Sequence, residues 1–435
     1  MTAITKGRKQ KNMKLKTAEI LCVGTELLIG DIVNTNAAFL SGRLAEMGIA
    51  QYHQSVVGDN EERLEEAVQT AIGRCDLLIL TGGLGPTYDD MTKQAVARAL
   101  GLDCVADDNC TRHVQAYCAR RGTEFRACDR NQCLLPRGAF SFCNRWGSAN
   151  GVGLVLPSVQ KIVVMLPGPP RETRPMFDTE VRPYLEQFTD GVIVSRNLNL
   201  AGIGEPAVEE LLSAQMRAAV NPSIAPYCTE GEVRLRVSAR ADTREAGERM
   251  CDRTVKELLA TEIGKYVYGV DTGLAQATIT ELNRRGWHIA TAESCTGGLI
   301  SAMLTAVPGA SRVLEGSFVT YADRTKQCLL GVSPETIARH TAVSEQTARE
   351  MAQGACQRLS CEVGVSVTGY AGPDGGDAEN PVGTVFVGVC VNGKTDVERH
   401  ALSGTRDYIR TVAAKRALSL ALRAIRSADT SEDAR

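Results

Sequence analysis

The pattern of apolar and polar positions divides this chain of 435 residues into three regions. In the first region, short apolar runs at 18–23, 77–80 and 162–166 alternate with stretches of helical periodicity. The helices are predicted at 36–48, 61–74, 91–100 and 171–185. Strands that alternate with helices in this way predict a mainly parallel sheet with helices on both faces.

The sequence pattern of the second region predicts a small α+β module. Residues 195–200 and 232–237 alternate like half-buried strands, and a helical stretch follows each of them. From residue 271 a second α/β pattern begins, with strands predicted at 287–292, 317–320, 363–367 and 385–391. Helices are predicted between them at 274–285, 297–305 and 345–359, and an alanine-rich amphipathic helix ends the pattern.

These patterns predict an α/β protein. Two α/β sandwich domains with mainly parallel sheets are joined by the small α+β module. The predicted boundaries are a disordered basic arm at 1–16, domains at 17–188, 189–270 and 271–427, and a frayed tail at 428–435.

Composition and charge limit the classes of protein to which this chain can belong. A net charge of −2 at pH 7 does not indicate a nucleic-acid partner, and only the basic arm favours one. Fifteen cysteines without a C-x-x-C pair, beside five histidines, argue against a zinc knuckle and a disulfide framework. We expect reduced thiols in a cytoplasmic protein, and no membrane span, because no apolar run approaches about 18 residues.

A candidate nucleophile lies where a predicted strand leads into a helix of the third region. Ser294 is followed by Gly297 and Gly298, which let backbone N–H groups approach a ligand at a helix start that favours an anion. Serine is also a preferred helix N-cap, so this segment alone leaves both roles open.

Other polar residues follow neighbouring strands of the same predicted sheet. Ligands bind outside the carboxyl ends of parallel strands, so these side chains are expected to meet Ser294 at one edge. A buried lysine there has a lowered pKa and can act as general base for a serine, directly or through a tyrosine. The residues concerned are Tyr321, Lys326, Thr368, Gly369 and Gly372.

The segment after Ser294 provides candidate oxyanion donors. These are the backbone N–H groups of Cys295, Thr296, Gly297 and Gly298. Cys295 is an alternative nucleophile, but no histidine lies near it in sequence to activate it.

The first region also has glycine-rich turns directly after its predicted strands, where a ligand is expected to bind. Asp89 and Asp90 add carboxylates that suit a hard divalent cation on a diphosphate, or that cap the following helix. The turn residues are Gly24, Thr25, Glu26, Gly82, Gly83, Gly85, Thr87, Pro167 and Gly168.

The third region resembles the nicotinamide mononucleotide (NMN) amidohydrolase domain of the CinA family. The segments that carry the resemblance are 291–299 (TAESCTGGL), 307–309, 321–330, 342–345, 367–376 (VTGYAGPDGG) and 381–384. They occur in order over roughly 150 residues, and such an ordered set is far more specific than a single glycine motif.

The resemblance implies hydrolysis of NMN to nicotinate mononucleotide and ammonia without a cofactor. It implies Ser294 as nucleophile, with Tyr321, Lys326 and Thr368 as the other catalytic positions. Arg406 or Arg410 corresponds to the phosphate-contacting region, and a plain surface role for these arginines stays open. Tyr370 stands where the family more often has a small aliphatic residue.

The first region resembles the molybdopterin-binding fold, and more closely the N-terminal half of CinA proteins. The segments are 24–36 (GTELLIGDIVNTN), 57–60, 81–90 (TGGLGPTYDD) and 166–170 (LPGPP). This resemblance implies hydrolysis of ADP-ribose to AMP and ribose 5-phosphate with a divalent cation, magnesium, manganese or cobalt. Asn150 stands where the family pattern has proline, which makes a changed pocket wall the expectation.

The middle region resembles the KH-like module of the same family. Residues 202–205 (GIGE) do not form a G-x-x-G loop, so no RNA binding is inferred. A homodimer is expected. The alternatives for the whole chain are a molybdopterin- or pterin-binding protein, or a competence-related scaffold, without hydrolase activity.

Overall fold

The fold is taken from a computed structural model of the chain that describes residues 13–428. The chain divides into two compact units. One extends to Val194 and includes Arg240–Glu248, and the other contains Ser195–Ala239 and the chain from Arg249 onward. Within residues 13–428, no helix combines the length and apolarity needed to cross a membrane.

The predicted basic arm lies mostly outside the described residues, but its last four positions do not. Met13 and Leu15 are buried in the core of the first unit. The Leu15 N–H donates to the Phe188 carbonyl over 2.8 Å. The predicted arm is therefore wrong for residues 13–16, because two apolar side chains anchor this segment. The predicted frayed tail lies beyond the described residues except for residue 428.

The first unit is built on a six-stranded sheet. Its strand order is β2-β1-β3-β8-β7-β6, and β4 and β5 form a separate antiparallel pair. The strands are β1 (Thr17–Val23), β2 (Ala50–Val57), β3 (Leu77–Thr81), β4 (Cys104–Ala106), β5 (Leu134–Pro136), β6 (Phe140–Phe142), β7 (Gly151–Leu156) and β8 (Lys161–Leu166). Strands β2, β1, β3 and β8 are parallel, whereas β7 and β6 are antiparallel.

Helices connect these strands and cover the sheet with two apolar clusters. They are α1 (Thr25–Leu28), α2 (Thr35–Glu46), α3 (Glu61–Arg74), α4 (Thr92–Ala99), α5 (Asp108–Arg120), α6 (Pro170–Met176) and α7 (Arg182–Leu185). The single helix predicted at 171–185 is interrupted by a π-helical turn at Phe177–Val181. Pro175 inside α6 and Pro183 in α7 each lack an N–H, which favours such a break.

The middle of the chain forms a four-stranded sheet of order β10-β11-β9-β12. Its elements are β9 (Val192–Leu200), α8 (Glu205–Ala218), β10 (Ser223–Thr229), β11 (Glu232–Ala241), α9 (Arg244–Leu259) and β12 (Val267–Val270). Both predicted strands are confirmed, and each is followed by a helix, as the pattern indicated.

The C-terminal part contains a five-stranded sheet of order β14-β13-β15-β16-β17. Its strands are β13 (Ile289–Glu293), β14 (Leu314–Val319), β15 (Val363–Gly369), β16 (Thr384–Val391) and β17 (Lys394–Ala401). Its helices are α10 (Leu274–Arg285), α11 (Leu299–Thr305), α12 (Asp323–Leu330), α13 (Pro334–His340), α14 (Glu345–Leu359) and α15 (Arg406–Ser427).

Three parallel strands of this sheet determine where the polar residues meet. Strand β13 pairs in parallel with β14 on one side and with β15 on the other. Glu293 is in register with Val319 and with Val367, so the three strands reach their carboxyl ends at one edge. Strands β16 and β17 extend the sheet beyond β15 as antiparallel neighbours.

We predict that Leu15→Ala destabilises the first unit by about 2–4 kcal/mol, because its buried side chain leaves a cavity. Urea titration monitored by hydrogen exchange of the β1 amides measures the change. Lys14→Ala is the neighbouring control. Its ion pair with Asp190 is more than half exposed, so we expect a loss below about 1 kcal/mol. Equal losses for the two variants would contradict the anchoring of residues 13–16.

Candidate functional sites

Ser294 lies in a tight turn between strand β13 and helix α11. Its side chain is 8% exposed, and its N–H donates to the Val367 carbonyl over 2.9 Å. Gly297 and Gly298 adopt the left-handed conformation, with φ of 62° and 96°, which the turn requires. The N-cap of α11 is Gly298, and it has no side-chain cap. The alternative of Ser294 as helix cap is therefore wrong.

The carboxylate of Glu293 organises this turn. It is fully buried and accepts hydrogen bonds of 3.0 Å from the N–H groups of Gly298, Ile300 and Ser301. The hydroxyls of Ser301 and Thr291 also donate to it, over 2.9 and 3.3 Å. The anion expected at the start of α11 is thus supplied by the chain itself. Sequence analysis missed this role, although an acidic residue beside a helix start was the available signal.

Two of the expected oxyanion donors are engaged elsewhere. The Gly297 N–H donates to the Ser294 carbonyl over 3.0 Å, and the Gly298 N–H donates to Glu293. Neither glycine lines the adjoining cavity, so their assignment to substrate binding is wrong. Thr296 does not line it either. Among the described residues, no acceptor is found for the N–H groups of Cys295 and Thr296. Of these two residues, Cys295 lines the cavity, so its N–H is the candidate donor.

Lys326 reaches Ser294 from helix α12. Its side chain is 1% exposed, and its Nζ lies 3.2 Å from the Ser294 Oγ. The same nitrogen donates to the carbonyls of Thr320 and Tyr321, over 3.0 and 3.4 Å. Burial lowers the pKa of Lys326, while the Asp323 carboxylate at 4.0 Å acts in the opposite direction. The structure thus brings Ser294 and Lys326 into contact, as predicted.

Tyr321 lines the cavity, but its hydroxyl does not lie between lysine and serine, as the alternative of a relay through tyrosine required. Its side chain is 62% exposed, and its hydroxyl accepts a hydrogen bond from Arg406 Nη2 over 2.9 Å. Arg406 also donates to the Gly372 carbonyl over 2.6 Å. The direct contact between Lys326 and Ser294 requires no relay. The Tyr321 phenol and Arg406 instead form one wall of the cavity.

Thr368 and Arg410 differ in how they relate to the cavity. Thr368 is fully buried and lines it, with its hydroxyl donating to the Ala342 carbonyl over 2.7 Å. Its proton is therefore committed, and its oxygen is left as an acceptor. Arg410 does not line the cavity, since its guanidinium donates to the carbonyls of Cys295 and Thr296 over 3.2 and 3.1 Å. Arg410 thus stabilises the Ser294 turn, and a contact of Arg410 with a substrate phosphate stays a prediction.

The cavity around Ser294 has a volume of about 200 Å³. Basic and acidic side chains both line it. Lys326 and Arg406 are basic, and Asp323 and Asp374 are acidic. Its predicted residues are Ser294, Cys295, Tyr321, Lys326, Thr368, Gly369, Gly372 and Arg406. Asp323, Ala342, Val343, Tyr370, Ala371 and Asp374 complete it, and apart from Tyr370 none of these had been assigned a role.

Cys295 is a poor nucleophile in this setting. Its side chain is 5% exposed, and burial raises the pKa of its thiol to about 11. At neutral pH the thiol is therefore protonated, and a protonated thiol attacks a carbonyl poorly.

A second cavity, of about 340 Å³, lies at the strand ends of the first unit. The predicted residues that line it are Gly24, Glu26, Gly82, Gly83, Gly85, Thr87, Asp89, Asp90, Pro167 and Gly168. Thr25 does not line it, because its N–H and hydroxyl form a reciprocal pair with Asp59, over 2.9 and 3.1 Å. The assignment of Thr25 to substrate binding is wrong.

Asp89 and Asp90 do not cap the helix that follows them. Helix α4 begins at Thr92, and its N-cap Met91 has no side-chain cap. Asp90 instead accepts from the Thr87 N–H over 2.8 Å, and so stabilises the turn. The Asp89 Oδ1 is buried without a hydrogen-bond partner among the described residues. The capping alternative is therefore wrong.

The lining of this second cavity is acidic. Five carboxylates line it, those of Glu26, Asp59, Asp89, Asp90 and Glu172, and no Lys, Arg or His of the described residues lines it. Within residues 13–428, no group of three or more His, Cys, Asp or Glu side chains has the arrangement of a metal site. The orphan oxygen of Asp89 fits a cation held by one or two carboxylates, with phosphate oxygens and water as further ligands.

Asn150, the departure from the family pattern, lies behind the wall of this cavity. It is 7% exposed, and its Oδ1 accepts from the Asn144 N–H over 2.9 Å. Ser148 and Ala149 provide the wall itself. The Asn150 side chain is thus directed into a buried network and does not itself form the wall, and a changed wall relative to the family pattern stays a prediction.

Comparisons with known proteins match each part of the chain. Residues 271–425 match the family model described as "CinA C-terminal domain", and 195–269 match "Damage-inducible protein CinA KH domain". Residues 19–187 match "Probable molybdopterin binding domain". The order of the three matches follows the order of the observed sheets.

Relatives match over nearly the whole length. The CinA-like protein of Dictyoglomus thermophilum is 44% identical over 393 residues, covering 90% of this chain and 95% of that protein. The CinA-like protein of Kosmotoga olearia is 42% identical over 409 residues, covering 94% and 98%. The crystal structure of competence/damage inducible protein CihA from Agrobacterium tumefaciens is 42% identical, covering 35% and 93%, with a TM-score of 0.34. The chain therefore belongs to the CinA family.

Proposed function

We propose that the C-terminal site hydrolyses the carboxamide of NMN to nicotinate mononucleotide and ammonia. The observation that supports this most directly is the 3.2 Å contact between the Lys326 Nζ and the Ser294 Oγ at a buried position. A serine paired with a buried lysine is a known arrangement for acyl transfer without a metal.

The surroundings of Lys326 suit a neutral amine. A neutral amine has two N–H bonds and one lone pair. In the structure the Lys326 Nζ donates to the carbonyls of Thr320 and Tyr321 and to the Ser294 Oγ. When the amine is neutral, the two carbonyls take its two hydrogens, and its lone pair can accept the Ser294 hydroxyl proton. The geometry thus supports a base that is already directed at the nucleophile.

The reaction follows from this arrangement in two steps. Lys326 takes the Ser294 proton as the Oγ forms a bond to the carboxamide carbon, and the N–H of Cys295 stabilises the oxyanion. The C–N bond breaks, and the lysine proton leaves with ammonia. Water then gives a proton to Lys326 and attacks the ester carbon. The ester C–O bond breaks, and Ser294 regains its proton.

The charges of the cavity support a nucleotide with a cationic ring. NMN carries a positive pyridinium and a negative phosphate. The carboxylates of Asp323 and Asp374 and the ring of Tyr370 suit the pyridinium, while Arg406 suits the phosphate.

For the N-terminal site we propose hydrolysis of ADP-ribose to AMP and ribose 5-phosphate with a divalent cation, magnesium, manganese or cobalt. Five carboxylates line this site, with no basic residue beside them in the part of the chain that the structure describes, and they repel a diphosphate unless a cation neutralises it. Asp89 and Asp90 would hold this cation, which would supply charge neutralisation at the diphosphate. The homodimer and the cytoplasmic location remain predictions.

We predict that Ser294→Ala lowers kcat for ammonia release from NMN by at least about 10³-fold, because the nucleophile is lost. The matched variant Cys295→Ala changes only the neighbouring thiol, so kcat stays within about threefold. An ammonia assay on both proteins measures this. Near-normal turnover of Ser294→Ala, together with an inactive Cys295→Ala, would identify the cysteine as nucleophile.

The lowered pKa of Lys326 predicts the pH dependence of the amidase. Lys326 is active when neutral, so kcat/KM falls as pH decreases through its pKa in the free enzyme. The Asp323 carboxylate raises this pKa, so Asp323→Asn is expected to move the acid limb to lower pH. The pH profiles of both proteins measure the shift. An acid limb that stays in place, or moves upward, would contradict Lys326 as the base.

We predict that EDTA abolishes ADP-ribose cleavage and leaves NMN deamidation unchanged. Asp89→Asn should lower ADP-ribose cleavage about 10- to 100-fold. Asp103→Asn is the control, because its side chain is 83% exposed and Asp103 does not line the cavity. Loss of deamidation with EDTA would contradict the metal-free mechanism.

Absence of ADP-ribose cleavage in the wild type would favour the alternative of a pterin-binding protein. Salt-dependent DNA binding would favour a competence-related scaffold.

A further inference from the structure

Three cysteines meet where helix α14 ends against the C-terminal sheet, and we call them the thiol cluster. Cys356 lies on the last turn of α14, Cys361 directly follows the helix, and Cys390 lies on strand β16. The thiol of Cys356 is in hydrogen-bond contact with the thiols of both other residues. Its Sγ also lies 3.8 Å from the Cys390 carbonyl oxygen. None of the three residues lines the cavity around Ser294, so the proposed amidase reaction does not use them.

The end of α14 brings Cys356 and Cys361 together. Ser360 adopts the left-handed conformation, with φ of 50°, and there the chain reverses. The N–H groups of Ser360 and Cys361 both donate to the Cys356 carbonyl, the second over 3.2 Å. At a helix end of this type, the side chain after the reversal packs on the last helical turn. The Cys361 S–H donates to the Val363 carbonyl over 3.4 Å, so its sulfur is the acceptor towards Cys356.

The sheet holds Cys356 beside Cys390 from the other direction. Gly364 on β15 is in register with Cys390. A side chain at Gly364 would begin 2.7 Å from the Cys356 Sγ, closer than two such atoms can lie. Glycine at this position therefore lets the Cys356 thiol rest directly on the sheet, between its two neighbours.

These contacts favour a thiolate on either side of Cys356. The Cys356 S–H can donate to either neighbour, which lowers the pKa of Cys361 and lowers the pKa of Cys390 to about 6. The same contacts raise the pKa of Cys356, which keeps its proton. Cys361 is half-buried, whereas Cys390 is only 2% exposed. A small reagent in water therefore reaches the sulfur of Cys361 first.

Metal binding does not explain the thiol cluster. Within the described residues 13–428, no group of three or more His, Cys, Asp or Glu side chains has the geometry to hold a metal ion. A reactive thiol beside a second thiol that can close a disulfide is instead the usual arrangement of a cysteine that responds to oxidants.

We infer that the thiol cluster is an oxidation site, at which a peroxide converts Cys361 and Cys356 into a disulfide. The Cys361 thiolate attacks one peroxide oxygen. An S–O bond forms, the O–O bond breaks, hydroxide leaves, and Cys361 becomes a sulfenic acid. The Cys356 sulfur then attacks the Cys361 sulfur. The S–S bond forms, the S–O bond breaks, and the departing hydroxide takes the Cys356 proton as water. The two cysteines together lose two electrons, and the peroxide is reduced.

This inference is independent of the proposed amidase. Val343, which lines the amidase cavity, lies just before the start of α14, and the thiol cluster lies at the end of the same helix. At 1.5 Å per residue, the helix separates them by roughly 20 Å.

The test treats the reduced full chain with about one equivalent of hydrogen peroxide, blocks the remaining thiols with iodoacetamide and maps the peptides by mass spectrometry. Trypsin places Cys356 on the peptide 350–358, and both Cys361 and Cys390 on the peptide 359–394. Cleavage after Glu362 then separates Cys361 from Cys390. We expect Cys356 to be joined to Cys361, and dithiothreitol to open this bond.

Three variants assign the two roles. Cys356→Ser should stop at the sulfenic acid of Cys361, which dimedone labels, and Cys361→Ser should give neither the label nor the disulfide. Cys390→Ala should still form the disulfide, because Cys390 takes part in neither bond. Cys328 is the control for exposure, since it is exposed on α12, and we expect it to be oxidised about tenfold more slowly than Cys361.

Three results would overturn the oxidation site. They are a wild type without a disulfide, a disulfide that joins Cys356 to Cys390, and oxidation of Cys328 at least as fast as that of Cys361. All three are read from the wild type, so they hold even where a variant fails to fold.

Discussion

The C-terminal site depends on the burial of one amine beside one hydroxyl. Lys326 is almost fully buried, its hydrogen-bond partners are two backbone carbonyls and Ser294, and the Asp323 carboxylate lies 4.0 Å from its Nζ. An ammonium ion loses hydration in such a place, so its proton is held less firmly than in water. The parallel pairing of β13, β14 and β15 is what keeps the partners of this amine at one sheet edge.

A second set of contacts fixes the turn that carries Ser294. Glu293 occupies the N–H groups at the start of α11, and Arg410 binds the carbonyls of Cys295 and Thr296. The turn that carries Ser294 is thus held by a negative group on its N–H side and a positive group on its carbonyl side. Such a framework fixes a nucleophile before a substrate arrives, which reduces the reorganisation needed during reaction.

The two cavities use the same architectural position with opposite electrostatics. Both lie at the carboxyl ends of parallel strands, next to glycine-rich turns. The C-terminal cavity is lined by Lys326 and Arg406 as well as by Asp323 and Asp374, so a ligand there meets both signs of charge. The N-terminal cavity is lined by five carboxylates, and no basic side chain from residues 13–428 lines it, so its charge would repel an anionic ligand that lacks a cation. Fold alone would not have separated these two chemistries.

The sequence by itself determined the α/β alternation, the three-part order and the residues at the strand ends, because periodicity and turn residues are local signals. It did not reveal β2, whose polar sequence at the sheet edge lacks an apolar run. Nor did it reveal that Thr25 and Arg410 stabilise turns while Asp374 lines a cavity. The direction of a side chain depends on packing between segments far apart in the chain. Only the tertiary structure therefore decided which polar groups bind each other and which remain free for a ligand.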